Sequence, residues 1–144
     1  MMIAEACGLA DSLGLKTGPR SPLAIANRIK AGLPLSSLER LSKAIAPDDA
    51  SFPYRFVPRA TLTRRKGASE PKLTVDEGNR VAAVAKVWEF AMEIYHDEIK
   101  AREFLYRSHP MLENQRPIDV ATDTGIGADL VINLLGRAAY GGGA

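Results

Sequence analysis

The sequence predicts an all-α fold, and three observations carry that expectation. Two capping boxes, Ser36–Glu39 and Thr74–Glu77, each place Ser or Thr three residues before Glu, the pairing that closes a helix N-terminus. The longest periodic segment spaces Val81, Val84, Val87, Trp88, Ala91, Ile94 and Tyr95 at steps of three and four, one face of a helix. No segment shows the apolar–polar alternation of a half-buried strand.

Each element follows from local signals. Ser21-Pro22 reads as an N-cap with proline at the first helical position, ahead of Leu23, Ile25, Ala26 and Ile29. Gly32 ends that helix, because glycine accepts the left-handed backbone found past helix C-termini. After Ser36, the apolar face is Leu38, Leu41 and Ile45, and Pro47 stops the run. Residues 47–58 are ambiguous: Asp48–Ser51 could open a helix that Pro53 interrupts and Pro58 closes. Pro58–Lys66 reads as a short basic helix ending at Gly67, and residues 67–73 as loop. Asp97 caps a helix containing Ala101, Phe104 and Leu105, and residues 108–116 are expected to be loop. Pro117 starts a helix of one or two turns, and Ala128, Val131, Ile132 and Leu135 give the last helix its buried face. Residues 1–20 suggest a short helix around Leu9 and Leu13. The expected division is an N-terminal domain over residues 1–67 and a C-terminal domain over 68–144, with a seam near 67–74.

Composition is that of an ordinary globular protein, 46% hydrophobic and 25% charged over 144 residues. The net charge of +2 conceals an asymmetry. Residues 1–75 hold 12 Lys/Arg against 6 Asp/Glu, net +6; residues 76–144 hold 7 against 11, net −4. Such a split suits two surfaces with different partners, the first half facing a polyanion. One cysteine, Cys7, makes no internal disulfide, which fits a reducing cytoplasm. No basic n-region precedes the N-terminal apolar residues and no window nears 18 uninterrupted apolar residues, so neither a signal peptide nor a membrane span is expected.

No catalytic constellation is visible, and no enzyme activity or cofactor is expected. His96 and His109 lack partners at metal-ligand spacing; His96 reads as a helix end and His109 as loop. Gly125-Ile126-Gly127 lacks the preceding strand and the Gly-Lys-Ser/Thr of a phosphate loop, and reads as a turn that lets the last helix pack closely. Trp88 falls in an apolar stripe and reads as core. Between Pro47 and Lys66, two short helical segments around a tight turn have the form of a helix-turn-helix. Arg55, Arg59, Thr61, Arg64, Arg65 and Lys66 are its candidate DNA contacts, the alternative being a solvated basic helix end. The segment Arg116–Ala144 is the other candidate. It runs through an apolar helix to Arg137 and Tyr140 beside glycines, and arginine and tyrosine are enriched at interface hot spots.

In their order, these parts resemble the Xre/MbcA/ParS antitoxins. Thr61–Lys66 is similar to the "TLxRR" stretch that closes the family's helix-turn-helix, and Leu73–Glu77 to the "Leu-Ser/Thr-x-x-Glu" that opens its toxin-binding domain. Ala91–Tyr95 resembles its "A-x-E-V/I-F/Y" element, Asp97–Ala101 its Asp-Glu-x-x-Ala turn, and Pro110–Leu112 its "Pro-x-Leu". Pro117–Asp119 and Thr122–Gly125 look like its "P-L/I-D" and "T-x-x-G", and Leu134–Gly141 like its "L-L-G-R-x-x-Y-G" ending. The resemblance covers residues 22–144.

It implies an antitoxin of a type II toxin–antitoxin pair that blocks the NAD pocket of a RES-domain toxin and binds its own promoter, as a homodimer that also assembles with the toxin. Arg116, Leu134, Leu135, Gly136, Arg137, Tyr140 and Gly141 are then the toxin-binding residues, with Arg137 and Tyr140 as the plug. The chain departs from the pattern at four places. Phe104-Leu105 stands for a Trp-Leu pair, Glu113-Asn114 for a Gly-Gly, and Ala139 for an acidic residue before the tyrosine. Pro53 falls where the first helix of the helix-turn-helix runs, and an interior proline there costs about 3 kcal/mol, so that helix is expected to be shortened or kinked. The alternative is a stand-alone helix-turn-helix regulator whose C-terminal domain dimerises or binds another protein.

Overall fold

The structure, a computed structural model, describes residues 8–15, 18 and 20–141. Among these, the fold is helical, with two isolated bridges and no strand. The helices are α1 (Pro22–Ala31), α2 (Leu35–Ile45), α3 (Arg59–Lys66), α4 (Val75–Tyr95), α5 (Glu98–Tyr106), α6 (Pro117–Asp123) and α7 (Gly125–Gly136). 3-10 turns lie at Phe52–Arg55 and Pro110–Leu112, and a π-helical turn at Arg137–Gly141. The chain forms two compact units, residues 1–85 and 86–144, so the division falls inside α4. The sequence placed the seam near 67–74, where loop residues lie. The early turns of α4 associate with the first unit through side chains: a Cβ at Gly78 would touch Ile29 and Leu33, and Glu77 and Arg80 bond to residues of the first unit.

In the first unit, α1 starts as expected. Ser21 Oγ accepts from the Ala24 N–H at 3.1 Å, and Pro22 follows. Gly32 ends it with φ +102°, a backbone that side-chain-bearing residues rarely adopt. Ile25 and Ile29 are buried, but Leu23 is exposed, because a step of two residues points it away from that face. The expected capping box at Ser36 is not formed. Helix α2 begins two residues earlier, with Pro34 as its cap and no side-chain bond there. Backbone pairing replaces the box: Leu35 N–H donates to Pro71 O at 3.0 Å and Leu73 N–H to Leu33 O at 2.8 Å. Leu38, Leu41 and Ile45 are fully buried as read. Ser37 is buried with them and donates to Leu13 O at 2.6 Å, tying α2 to the N-terminal segment. Residues 8–12 are helical and Leu13 is buried, while the rest of the helix expected in residues 1–20, and Cys7, lie outside the described residues.

In the second unit, α4 buries Val87, Trp88 and Ala91, leaving Ile94 and Tyr95 half-buried. Asp97 caps α5 by accepting from the Ile99 N–H at 2.8 Å, and Ala101 and Leu105 fill the core. The 108–116 segment is more ordered than a loop. The His109 Nδ1 accepts from the Met111 N–H at 3.2 Å, and His109 N–H donates to Gln115 O at 3.1 Å, closing a small turn around Pro110–Leu112. Glu113 and Asn114, the residues standing for Gly-Gly, have φ of +55° and +65°, the left-handed backbone glycine takes most easily. Helices α6 and α7 pack as a tight pair. A Cβ built at Gly127 would overlap the Val120 carbonyl oxygen, so the glycine is needed for the approach of backbone to backbone. Gly125 faces open space, so this need belongs to Gly127 alone of the pair.

Candidate functional site

The C-terminal site is built on α7. Thr124 Oγ1 accepts from the Gly127 N–H at 2.9 Å and starts the helix. Gly127, Ala128, Val131, Leu134 and Leu135 are buried, which fixes how the helix is rotated. Leu134 and Leu135 therefore face inward, as supports for the chain that follows, and Gly136 lies 4.0 Å from the Phe90 ring by its would-be Cβ. Arg137 donates its backbone N–H to Asn133 O and Leu134 O, and the helix widens into the π turn ending at Gly141. Such single turns recur at functional sites. Arg137 and Tyr140 project from it, Tyr140 being 77% exposed. With Phe90, Ile132, Asn133 and Gly136 they line an open depression of about 570 Å³. Arg116 is elsewhere in the unit: it grips Asp119 with two bonds, 2.8 and 3.0 Å, and lies 5.5 Å from the Tyr106 ring centroid. That arrangement braces the start of α6. Nearby, burial pushes the Tyr95 hydroxyl pKa up against the opposing charge of Arg107, and its ring meets Phe104 at 6.0 Å.

The second candidate lies in the first unit. Between α2 and the basic helix α3 the helical segment expected over residues 48–58 is a 3-10 turn, Phe52–Arg55, with Pro53 in its first positions. Arg59, Arg64 and Lys66 are exposed, and Thr61 is half-buried. Arg59 lies over the Tyr54 ring at 5.5 Å, and Arg55 over the Phe52 ring at 5.4 Å. Arg65 differs from its neighbours. Its guanidinium is bound to Glu77, which also accepts from the Thr74 N–H at 2.9 Å. Glu77 N–H in turn donates to Thr74 Oγ1 at 3.2 Å, so this capping box forms as read. Burial pushes the Glu77 carboxyl pKa up, but the bond and charge of Arg65 and the two bonds from Thr74 outweigh it and hold the pKa below the ordinary value. Arg80, one turn further along α4, donates to Arg55 O at 2.7 Å and lies 5.6 Å from the Phe56 ring. Glu77 and Arg80 thus hold α3 and the turn before it.

Sequence reasoning missed these two anchors, and it missed Phe90 and Asn133 beside the tail. An arginine twelve positions before the glutamate of a capping box gives no periodic signal, so the Arg65–Glu77 pair is visible only in three dimensions. Among the described residues no group of His, Cys, Asp and Glu could hold a metal ion, and no helix is long and apolar enough to cross a membrane.

The α5–α7 region and the π turn coincide with a known sequence pattern. Residues 91–141 match the family described as antitoxin Xre/MbcA/ParS C-terminal toxin-binding domain. No curated protein matches the chain. The match begins at Ala91 within α4 and ends at Gly141 with the π turn, so it takes in the depression's Arg137 and Tyr140. Over residues 91–141 this chain is therefore similar to the toxin-binding domain of the Xre/MbcA/ParS antitoxins.

Proposed function

We propose that the protein is the antitoxin of a type II pair and neutralises a RES-domain toxin by occluding its NAD pocket. The observation that carries this reading is the exposure of Arg137–Tyr140 at the end of the segment that matches a toxin-binding domain. Arg137 offers a planar cation able to grip carboxylate or phosphate groups, and Tyr140 a large ring at low entropic cost. Leu134 and Leu135 fix the turn from behind, and Arg116 acts through α6. The mechanism is stoichiometric occlusion, with no chemistry on the antitoxin's side.

Co-expression with the toxin encoded beside it tests the reading. Deleting residues 137–144, or the double change Arg137→Ala and Tyr140→Ala, is expected to leave a folded protein that no longer protects the cell. Full protection by both variants would remove the plug mechanism.

The same reading gives the first unit a promoter-binding role in the cytoplasm, as a homodimer, since helix-turn-helix operators pair two half-sites. Exposed Arg59, Arg64 and Lys66 on α3 support it. The single 3-10 turn in place of a first helix argues against a stand-alone regulator that depends on DNA binding alone.

A further inference from the structure

The tail does not account for the outward face of α7. Ile126, Leu130, Asn133 and Arg137 recur at steps of four, three and four, which puts them on one line along the helix. The line spans roughly 16 Å at 1.5 Å per residue. Ile126 is 76% exposed and Leu130 50%. Large apolar side chains scattered singly on a surface need no explanation; two in register on one helix face do. Their outward direction is imposed, because the buried residues on the opposite side and the contact of Gly127 with Val120 leave α7 one rotation.

Asn133 and Arg137 belong both to this line and to the depression that Tyr140 lines. The stripe and the tail are therefore one continuous surface. Two side chains of this size expose far less than the roughly 800 Å² per partner of a stable interface, so the stripe serves as the extension of a larger contact. The larger contact it joins is the tail.

We infer that the toxin is held along the whole stripe from Ile126 to Tyr140, and this rests on the toxin-occlusion reading. Ile126 and Leu130 supply the apolar part of the contact and Asn133 a polar one, continuous with the plug formed by Arg137 and Tyr140. The stripe supplies residence time, while the tail supplies occlusion.

The test uses the full chain and its purified toxin. The double variant Ile126→Ser and Leu130→Ser changes two exposed positions. It is expected to bind the toxin roughly 10- to 100-fold more weakly, in the range of truncated interface anchors. The free variant should keep the mass and helical spectrum of the unaltered protein. Unchanged affinity overturns the inference. So does a change in the mass of the free protein, which would make the stripe a contact between copies of this chain. The tail variant Arg137→Ala and Tyr140→Ala separates the two ideas. If it loses binding while the stripe variant keeps it, the stripe falls and the occlusion reading stands. If both variants bind as well as the unaltered protein, both ideas fall.

Discussion

Gly127 and Glu77 show how single side chains set this structure. At Gly127 the constraint is space. Adding one methyl group forces α6 and α7 apart or distorts the Thr124 cap, because the Val120 carbonyl oxygen occupies the position. Gly127→Ala is expected to destabilise the protein by about 1–3 kcal/mol, the usual cost of overpacking, as read by urea denaturation. The same change at Gly125, which faces open space, serves as the control. At Glu77 the constraint is charge. A carboxyl whose folded pKa is lowered stabilises the fold in its ionised form. That contribution is complete above the ordinary value of 4.5 and is lost as pH falls through the lower, folded value. The melting-temperature gap between the unaltered protein and Glu77→Gln should therefore be widest above about pH 5 and narrow on acidification. A gap that does not change with pH would remove the charge from the explanation.

At the scale of elements, α3 combines two kinds of arginine that the sequence presents as equals. Arg64 and Arg65 are adjacent in the basic run, yet Arg64 is exposed and Arg65 is bound to the α4 capping box. Arg64→Ala is expected to reduce the salt dependence of promoter binding by about one unit of slope with little change in melting temperature. Arg65→Ala should lower the melting temperature, since it leaves Glu77 without its partner in a mostly buried setting. A mobility-shift salt series with parallel thermal melts distinguishes them. Equal effects of the two changes on both readouts would refute the division of roles. The capping signals show the same dependence on context. Thr74–Glu77 forms its box, and Ser36–Glu39 does not, because backbone bonds from residues 33–35 to 71–73 already settle how α2 begins.

At the scale of the whole molecule, the positive first half and negative second half predict two salt responses. The proposed promoter binding through α3 would depend on counterion release and should weaken steeply between 50 and 200 mM salt. The proposed toxin contact, an apolar stripe and a single arginine, should change little over that range, because burial of apolar surface is insensitive to screening. Affinities measured across one salt series check both. A toxin complex that dissolves as steeply as the DNA complex would contradict the apolar basis of the C-terminal surface.

The sequence by itself determined the helical content, since the 3.6-residue periodicity, the Ser21, Thr74 and Asp97 caps and the stops at Gly32 and Gly67 are all local. It also located the tail, because Arg137 and Tyr140 follow the last buried position of α7. The tertiary structure decided which of the named residues project and which brace. Leu134 and Leu135 are buried, Arg65 is held by Glu77 in another helix, and Arg116 lies over the Tyr106 ring of α5. It also decided that Ile126 and Leu130 face outward, since burial depends on what packs against the opposite side of the helix, and no pattern of residues along one segment records that.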